Sequence, residues 1–367
     1  MWIRQLQWIV LRWALLPALL IPFASRSVLF YSTGDPTYNT TAPGGSLTNS
    51  GWQFQGQWGG FLGTAIAPKY FITAKHVGRA SGGAFWFQGT NHLVSEEFRC
   101  PDADLSIWRV CGTLSLYAPL FTGTNEVGRP LVVMGRGTPR GAGVTVTTGS
   151  VVEPKGWLWD AYDGVQRWGE NEVSSIFDGD AASGSELLGD LLMATFDSGA
   201  GTNECHLSWG DSGGAVFLQE DSTWKLAGIN YSVSGPYNTS TNGGGFSAAI
   251  FDEGGLFTGG MGDWMEVPDE TNDQPGAFFA TRISSNLDWI QSVLTLPIPD
   301  DAWPKLQSAA RVDGPYADMS DAQVDETSRT ITIPQPAQDS YYRLRSCCPT
   351  TIVSVEESAS NLVLRYE

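Results

Sequence analysis

The stretch that most restricts this chain is Gly210-Asp211-Ser212-Gly213-Gly214, which runs into the apolar Ala215-Val216-Phe217-Leu218. A serine between glycines at the entry to a strand sits on a tight turn that exposes its hydroxyl. The glycines also let backbone N–H groups converge beside that hydroxyl. Gly, Asp and Ser dominate ordinary surface turns as well, so the pentapeptide alone leaves a chemically idle polar turn open. The rest of the chain has to decide.

A serine hydroxyl is a weak nucleophile and needs a base within hydrogen-bond reach, itself held by a third group. The chain has three histidines, His76, His92 and His206. His76 follows a strand–turn–strand pattern and closes Ile72-Thr73-Ala74-Lys75-His76. Asp104 stands immediately before the alternating Leu105-Ser106-Ile107-Trp108 and is the better acid; Asp102 is the fallback. With these segments the chain resembles the trypsin/chymotrypsin-like serine proteases. Thr73-Ala74-Lys75-His76 is similar to that family's histidine motif, Asp104 to Ile107 to its aspartate segment, and Gly210 to Gly214 to its serine motif, in the family's order His, Asp, Ser. Val133-Met134-Gly135-Arg136-Gly137 resembles its Gly-Trp-Gly strand end, with Arg136 in place of Trp. Arg282-Ile283 with Asp288-Trp289-Ile290 resembles its closing helix. The resemblance covers residues 51–296 and is weak from 138 to 204.

It implies an all-β fold of two antiparallel six-stranded barrels with a C-terminal helix, and a secreted serine endopeptidase acting on protein or peptide substrates. His76, Asp104 and Ser212 are the expected catalytic residues, and the N–H groups of Gly210 and Ser212 the expected oxyanion hole. His206, six residues before Ser212, resembles the base of the family's primary pocket, with a satisfied structural histidine as the bland alternative. Trp209 is expected at its rim, and Asn230, Tyr231 and Ser232 lie on the strand along which a substrate would pair. A preference for Lys or Arg needs an acid at the pocket base, and none is there. Lys75 departs from the family's small residue and is expected to face solvent. Zymogen-type members pair the acid before the nucleophile with a new N-terminal amine of an Ile-Val-Gly-Gly kind. This chain has no such sequence, which leaves the partner of Asp211 open and suggests activity without propeptide cleavage.

The net charge of −18, from 21 basic and 39 acidic residues, argues against a nucleic-acid partner. Residues 1–27 carry Arg4 and Arg12 and an apolar run from Trp13 to Ala24, interrupted by Pro22. This reads as a secretory signal peptide cut after Ser27 rather than a membrane span, and places the protein outside the cell or in the cell envelope. Export permits disulfides. Of Cys100, Cys111, Cys205, Cys347 and Cys348, the first two bracket Asp104 and are a candidate pair. No cysteine pair has zinc-site spacing. Asp178, Asp180, Ser183, Ser185 and Glu186 fail the EF-hand spacing because the turn glycine is Gly184, so a solvated acidic loop and no metal or cofactor are expected.

Along the chain, residues 28–50 are turn-rich and read as a partly ordered arm. Strands are expected at 60–67, 70–73, 84–88, 105–110, 131–134, 143–152, 191–196 and 225–232. Residues 235–274, rich in Gly and Asp, read as a functional loop or disorder. Residues 284–294 read as a helix capped by Ser284 or Ser285. After a linker at 297–301, residues 302–367 alternate as a small β module that could bind a surface or matrix ligand. An inactive protease homologue, or a binding protein working through this module, is the alternative reading.

Overall fold

The computed structural model describes residues 28–79, 83–183, 186–260, 262–298, 304–336, 340–346, 350–358 and 360–367. The expected signal peptide, Gly184 and Ser185, Pro299 to Asp301 of the linker, and Cys347 and Cys348 lie outside the described residues.

The fold is all-β. Six strands close into an antiparallel barrel in the order Gln55–Trp58, Phe61–Ala67, Tyr70–Ala74, Leu105–Val110, Thr90–Arg99 and Ala84–Phe87, which returns to the first. Glycine makes this closure tight: a Cβ on Gly63 would sit 2.7 Å from the Phe71 ring, and the Phe71 and Phe85 rings stack at 4.0 Å inside. The strand Thr90–Arg99 was hidden in the sequence because its polar and exposed positions dominate and no clean alternation survives.

The second sheet has seven antiparallel strands, in the order Arg167–Glu172, Pro130–Gly135, Ala215–Glu220, Thr223–Val233, Ala277–Arg282, Asp190–Thr195 and Ser175–Asp178. It differs from the expected second six-stranded barrel. Its edge strands, Arg167–Glu172 and Ser175–Asp178, follow one another in the chain. The side-chain bond from Asn171 Nδ2 to Thr195 O, 2.8 Å, reaches from the first edge to the strand beside the second. No backbone ladder closes the sheet among the described residues. The stretch expected as one strand at 143–152 is instead a hairpin, Arg140–Thr148 and Val151–Trp159, turned at Gly149 with φ +64°.

One apolar core joins the barrel to this sheet. Leu62, Ile72, Leu105 and Ile107 pack with Val132, Met134, Phe217 and Ile229, and Ile283, Ile290 and Val293 seal it. The last two belong to the helix Leu287–Leu294, which follows a 3₁₀ turn at Ser284–Asn286. Neither Ser284 nor Ser285 caps it; Ser284 donates to the buried Glu126 carboxylate instead.

Two polar stretches are more ordered than their composition suggests. In the arm, Leu29–Phe30 pairs with Cys205–His206, Val28 to Phe30 are buried, and Arg140 Nη1 donates to Tyr31 O at 2.9 Å. Within 235–274, Ala248–Ile250 adds a strand to Val151–Trp159, and Tyr237, Ile250 and Leu256 form a local core with Val144. The buried Lys155 ammonium ties this region down through Asp252 at 2.5 Å and Asp269 at 3.1 Å.

The C-terminal module is a sandwich of a three-stranded and a four-stranded sheet around Leu306, Ile331, Ile333, Leu362, Leu364 and Tyr366. It docks on the barrel through Glu326, which accepts from Thr113 Oγ1 at 2.6 Å and lies 3.8 Å from the buried Lys69 ammonium. Cys111 is disulfide-bonded, but not to Cys100, which is a buried free thiol. Among the described residues no helix is long and apolar enough to cross a membrane.

Candidate active site

Strand pairing builds the site from two directions. Tyr70–Ala74 and Leu105–Val110 run antiparallel with Ala74 opposite Leu105, so the residues just beyond these ends meet. One is His76, in the 3₁₀ turn Lys75–Val77; the other is Asp104. Asp104 is nearly buried and holds its neighbour twice. Oδ2 lies 2.6 Å from His76 Nδ1, and Oδ1 accepts the His76 backbone N–H at 2.9 Å. The ring and the turn that carries it are therefore fixed by one carboxylate.

Ser212 comes from the other sheet, on the turn between Cys205–His206 and Ala215–Glu220. Its Oγ lies 2.8 Å from His76 Nε2. The three sequence-predicted catalytic residues thus form one chain of hydrogen bonds across the junction of the two sheets.

The glycines around Ser212 are sterically required. Gly213 has φ +75°, and a Cβ there would lie 2.2 Å from Thr73 Oγ1 and 2.6 Å from Leu62 O. Gly210 has φ +97°, and its Cβ would lie 2.9 Å from Gly137 Cα and from the Tyr162 ring. Neither Gly210 N–H nor Ser212 N–H donates to a protein acceptor among the described residues. Asn230 braces the turn: its Nδ2 donates to Met134 O at 2.8 Å and Asp211 O at 3.0 Å, and its N–H to Gly214 O at 2.8 Å.

Asp211 points inward and is fully buried, and among the described residues its carboxyl is held by backbone N–H groups and a hydroxyl. Its Oδ1 accepts from Gly137 N at 2.6 Å and its Oδ2 from Ser208 N at 2.7 Å, while Ser208 Oγ lies 3.0 Å from Oδ2. Burial pushes its carboxyl up to about 7. Lys75 also departs from expectation. Its ammonium is turned away from solvent and donates to Ala103 O at 2.6 Å and Cys100 O at 3.0 Å, clamping the loop that carries Asp104.

Beside Ser212 lies a recess of about 180 Å³ lined by Trp159, Leu207, Ser208, Trp209, Tyr231 and Val233, with Asn230 and Ser232 also on its wall. Trp209, Asn230, Tyr231 and Ser232, the residues the sequence reading assigned to substrate contact, all line this recess. Trp209 is 58% exposed and stands edge-on to Tyr162 and Phe61. The Tyr231 ring meets His76 edge-on at 5.8 Å.

His206 is a correction. It is fully buried and absent from the recess, with Nδ1 2.6 Å from Leu207 O and its ring against Phe196 and Phe278. Burial pulls its pKa down to about 4. The physical reason is that Cys205–His206 pairs with Leu29–Phe30 and the imidazole packs against Phe196 and Phe278.

Sequence reading missed Trp159, Leu207, Ser208 and Val233. Ser208, three residues before Asp211, was the one with a legible signal, since a hydroxyl at that spacing readily bonds a neighbouring turn. Among the described residues no group of three or more His, Cys, Asp or Glu is arranged to hold a metal ion. No family model matches this chain, and no curated protein matches it either.

Proposed function

We propose that the chain is an exported serine endopeptidase of the trypsin-like kind, cleaving peptide bonds through an acyl-enzyme intermediate. The observation that carries this reading is the relay Asp104–His76–Ser212, with contacts of 2.6 and 2.8 Å. His76 Nε2 takes the Ser212 proton as Oγ attacks the scissile carbonyl, and Asp104 holds Nδ1–H so that the ring keeps the useful tautomer. The N–H groups of Gly210 and Ser212 receive the oxyanion. His76 then gives its proton to the leaving amine, and water repeats the sequence to release the acid.

Two further features support a peptide substrate. Ladder pairing of Thr223–Val233 with Ala215–Glu220 ends at Ile229, so the edge at Tyr231–Val233 is left for an incoming extended chain. The one ionisable side chain on the recess wall apart from Tyr231 is Asp211, whose oxygens are held by Gly137 and Ser208, and His206 is not part of the wall. A dry apolar cavity of about 150 Å³ accepts benzene, so a recess of this size suits an uncharged aliphatic or aromatic side chain on the acyl side.

Labelling with a serine-directed fluorophosphonate tests the reading. Wild type is expected to label and Ser212→Ala to remain folded and unlabelled. Peptide libraries should show apolar residues favoured over Lys, Arg, Asp and Glu before the cut. A folded wild type that never labels would overturn the assignment and favour a binding role.

A further inference from the structure

The segment beneath the nucleophile turn poses a problem of proton counting. Ser208 Oγ accepts the Thr138 N–H at 2.7 Å and lies 2.7 Å from Thr138 O and 3.0 Å from Asp211 Oδ2. A hydroxyl has one proton, and these are two acceptors. The carbonyl is the nearer and has no other donor among the described residues, whereas Oδ2 also has Ser208 N–H, so the proton belongs to the carbonyl. The 3.0 Å contact between Ser208 Oγ and Asp211 Oδ2 then has no proton unless the carboxyl brings it. A neutral Asp211 completes the arrangement: Oδ1 accepts from Gly137 N–H, while Oδ2 accepts from Ser208 N–H and donates to Ser208 Oγ.

We propose that Asp211 stands as a neutral acid donating to Ser208 Oγ, and that its ionisation reverses the Ser208 hydroxyl and loosens the turn that presents Gly210 and Ser212 N–H. On ionisation the Ser208 hydroxyl swings to the carboxylate, and the buried Thr138 carbonyl loses its donor. Residues 136–138 are the floor of that turn, because Gly137 Cα lies 2.9 Å from where a Gly210 Cβ would be. Ser208 and Asp211 are positioning residues here; neither touches the reacting atoms.

The surroundings favour the neutral form. The facing cation, Arg167, is engaged by Asp163 at 3.0 Å and by Pro36 O at 2.7 Å. The other titratable groups that feel Asp211 are Tyr162, from the loop above, and the Cys205 thiol, both neutral near pH 7 and both pushed further up by burial. The value of about 7 for the Asp211 carboxyl, raised by the same burial, places the switch in the neutral range. The activity readout rests on the endopeptidase reading, whereas the carboxyl itself can be observed without it.

Infrared difference spectra of wild type against Asp211→Asn should show a protonated carboxyl band at mildly acid pH that disappears on the alkaline side. Ser208→Ala removes the acceptor and should shift that band to higher frequency. Absence of the band in folded wild type overturns the proposal, whether or not the protein has activity. The fluorophosphonate labelling rate of wild type should fall about tenfold or more from neutral to about pH 9. Asp211→Asn cannot ionise, so its rate should be flat over that range. Its absolute rate will be lower, because an amide nitrogen cannot accept from Ser208 N–H; the shape of the profile is the readout. An equal alkaline fall in both proteins overturns the switch. Failure of wild type to label at any pH would overturn the endopeptidase reading and leave the infrared band to decide Asp211.

Discussion

At the scale of single residues, the proposed site divides into the groups assigned the chemistry and the groups that hold them. Lys75 belongs to the second class. Replacing it by Met removes the donors to Cys100 O and Ala103 O and frees the loop that carries Asp104. A misplacement of about 1 Å can cost about a hundredfold in rate, so Lys75→Met should lower kcat by about ten- to a hundredfold with KM little changed. Steady-state kinetics on a peptide substrate would check this, and a change confined to KM would contradict it. Gly213→Ala should fail in a different way. Its Cβ has no room and its φ suits glycine, so strain and overpacking together should destabilise by about 2–5 kcal/mol, read from denaturant unfolding. The triad and these glycines were legible in the sequence because the chemistry and the tight turn both act on neighbouring residues. The fate of His206 was not, because it is set by Leu29, a strand partner far away in the chain.

At the scale of elements, strands with a clear apolar pattern could be recognised, whereas the polar Thr90–Arg99 and the two-residue strands could not. Tyr70–Ala74, Leu105–Val110 and Thr223–Val233 stand close to where periodicity put them. Leu29–Phe30 and Tyr237–Asn238 are two residues each, too short for any period, and their turn-rich surroundings gave the opposite impression. These short pieces nevertheless place Leu29 and Tyr237 in buried apolar clusters. Leu29 is fully buried, and truncating a core leucine costs about 2–5 kcal/mol. Leu29→Ala should therefore lower stability by that amount and, by loosening Cys205–His206, also slow fluorophosphonate labelling. Unchanged thermal unfolding in this variant would mean that the arm is not part of the cooperative unit.

At the scale of the whole molecule, charge sets the conditions under which the fold is most stable. Burial pushes Asp211 up to about 7 and Glu204 up to about 8. Between about 4, where an unfolded carboxyl titrates, and those values, the folded chain keeps protons that the unfolded chain has released. Stability should fall as pH rises through that window. Glu126 and Asp252 act in the opposite sense. Burial opposes their ionisation, but the bonds from Arg282 and Ser284 to the first, and from Lys155 to the second, outweigh it and hold both below the usual range. Their contribution is lost as pH falls through those lowered values. Thermal unfolding should peak in the mildly acid range, and a Tm that climbs steadily from pH 4 to pH 8 would contradict this. The C-terminal module is a separate lever. A chain ending at Ile298 should label at close to the full-length rate, since the triad lies on other elements. It should melt earlier, because the buried Lys69 ammonium loses Glu326. A large loss of labelling in a folded truncation would show that the module helps build the site. The stitching of the arm to the nucleophile segment also has a consequence in time. Ser32 bonds Thr202 across 170 residues. At about 5–20 residues per second of synthesis, Val28, Leu29 and Phe30 wait on the order of ten seconds or more before their partners exist. Through that interval three apolar side chains destined for the interior stand bare, and the folded yield depends on their staying out of other contacts until then.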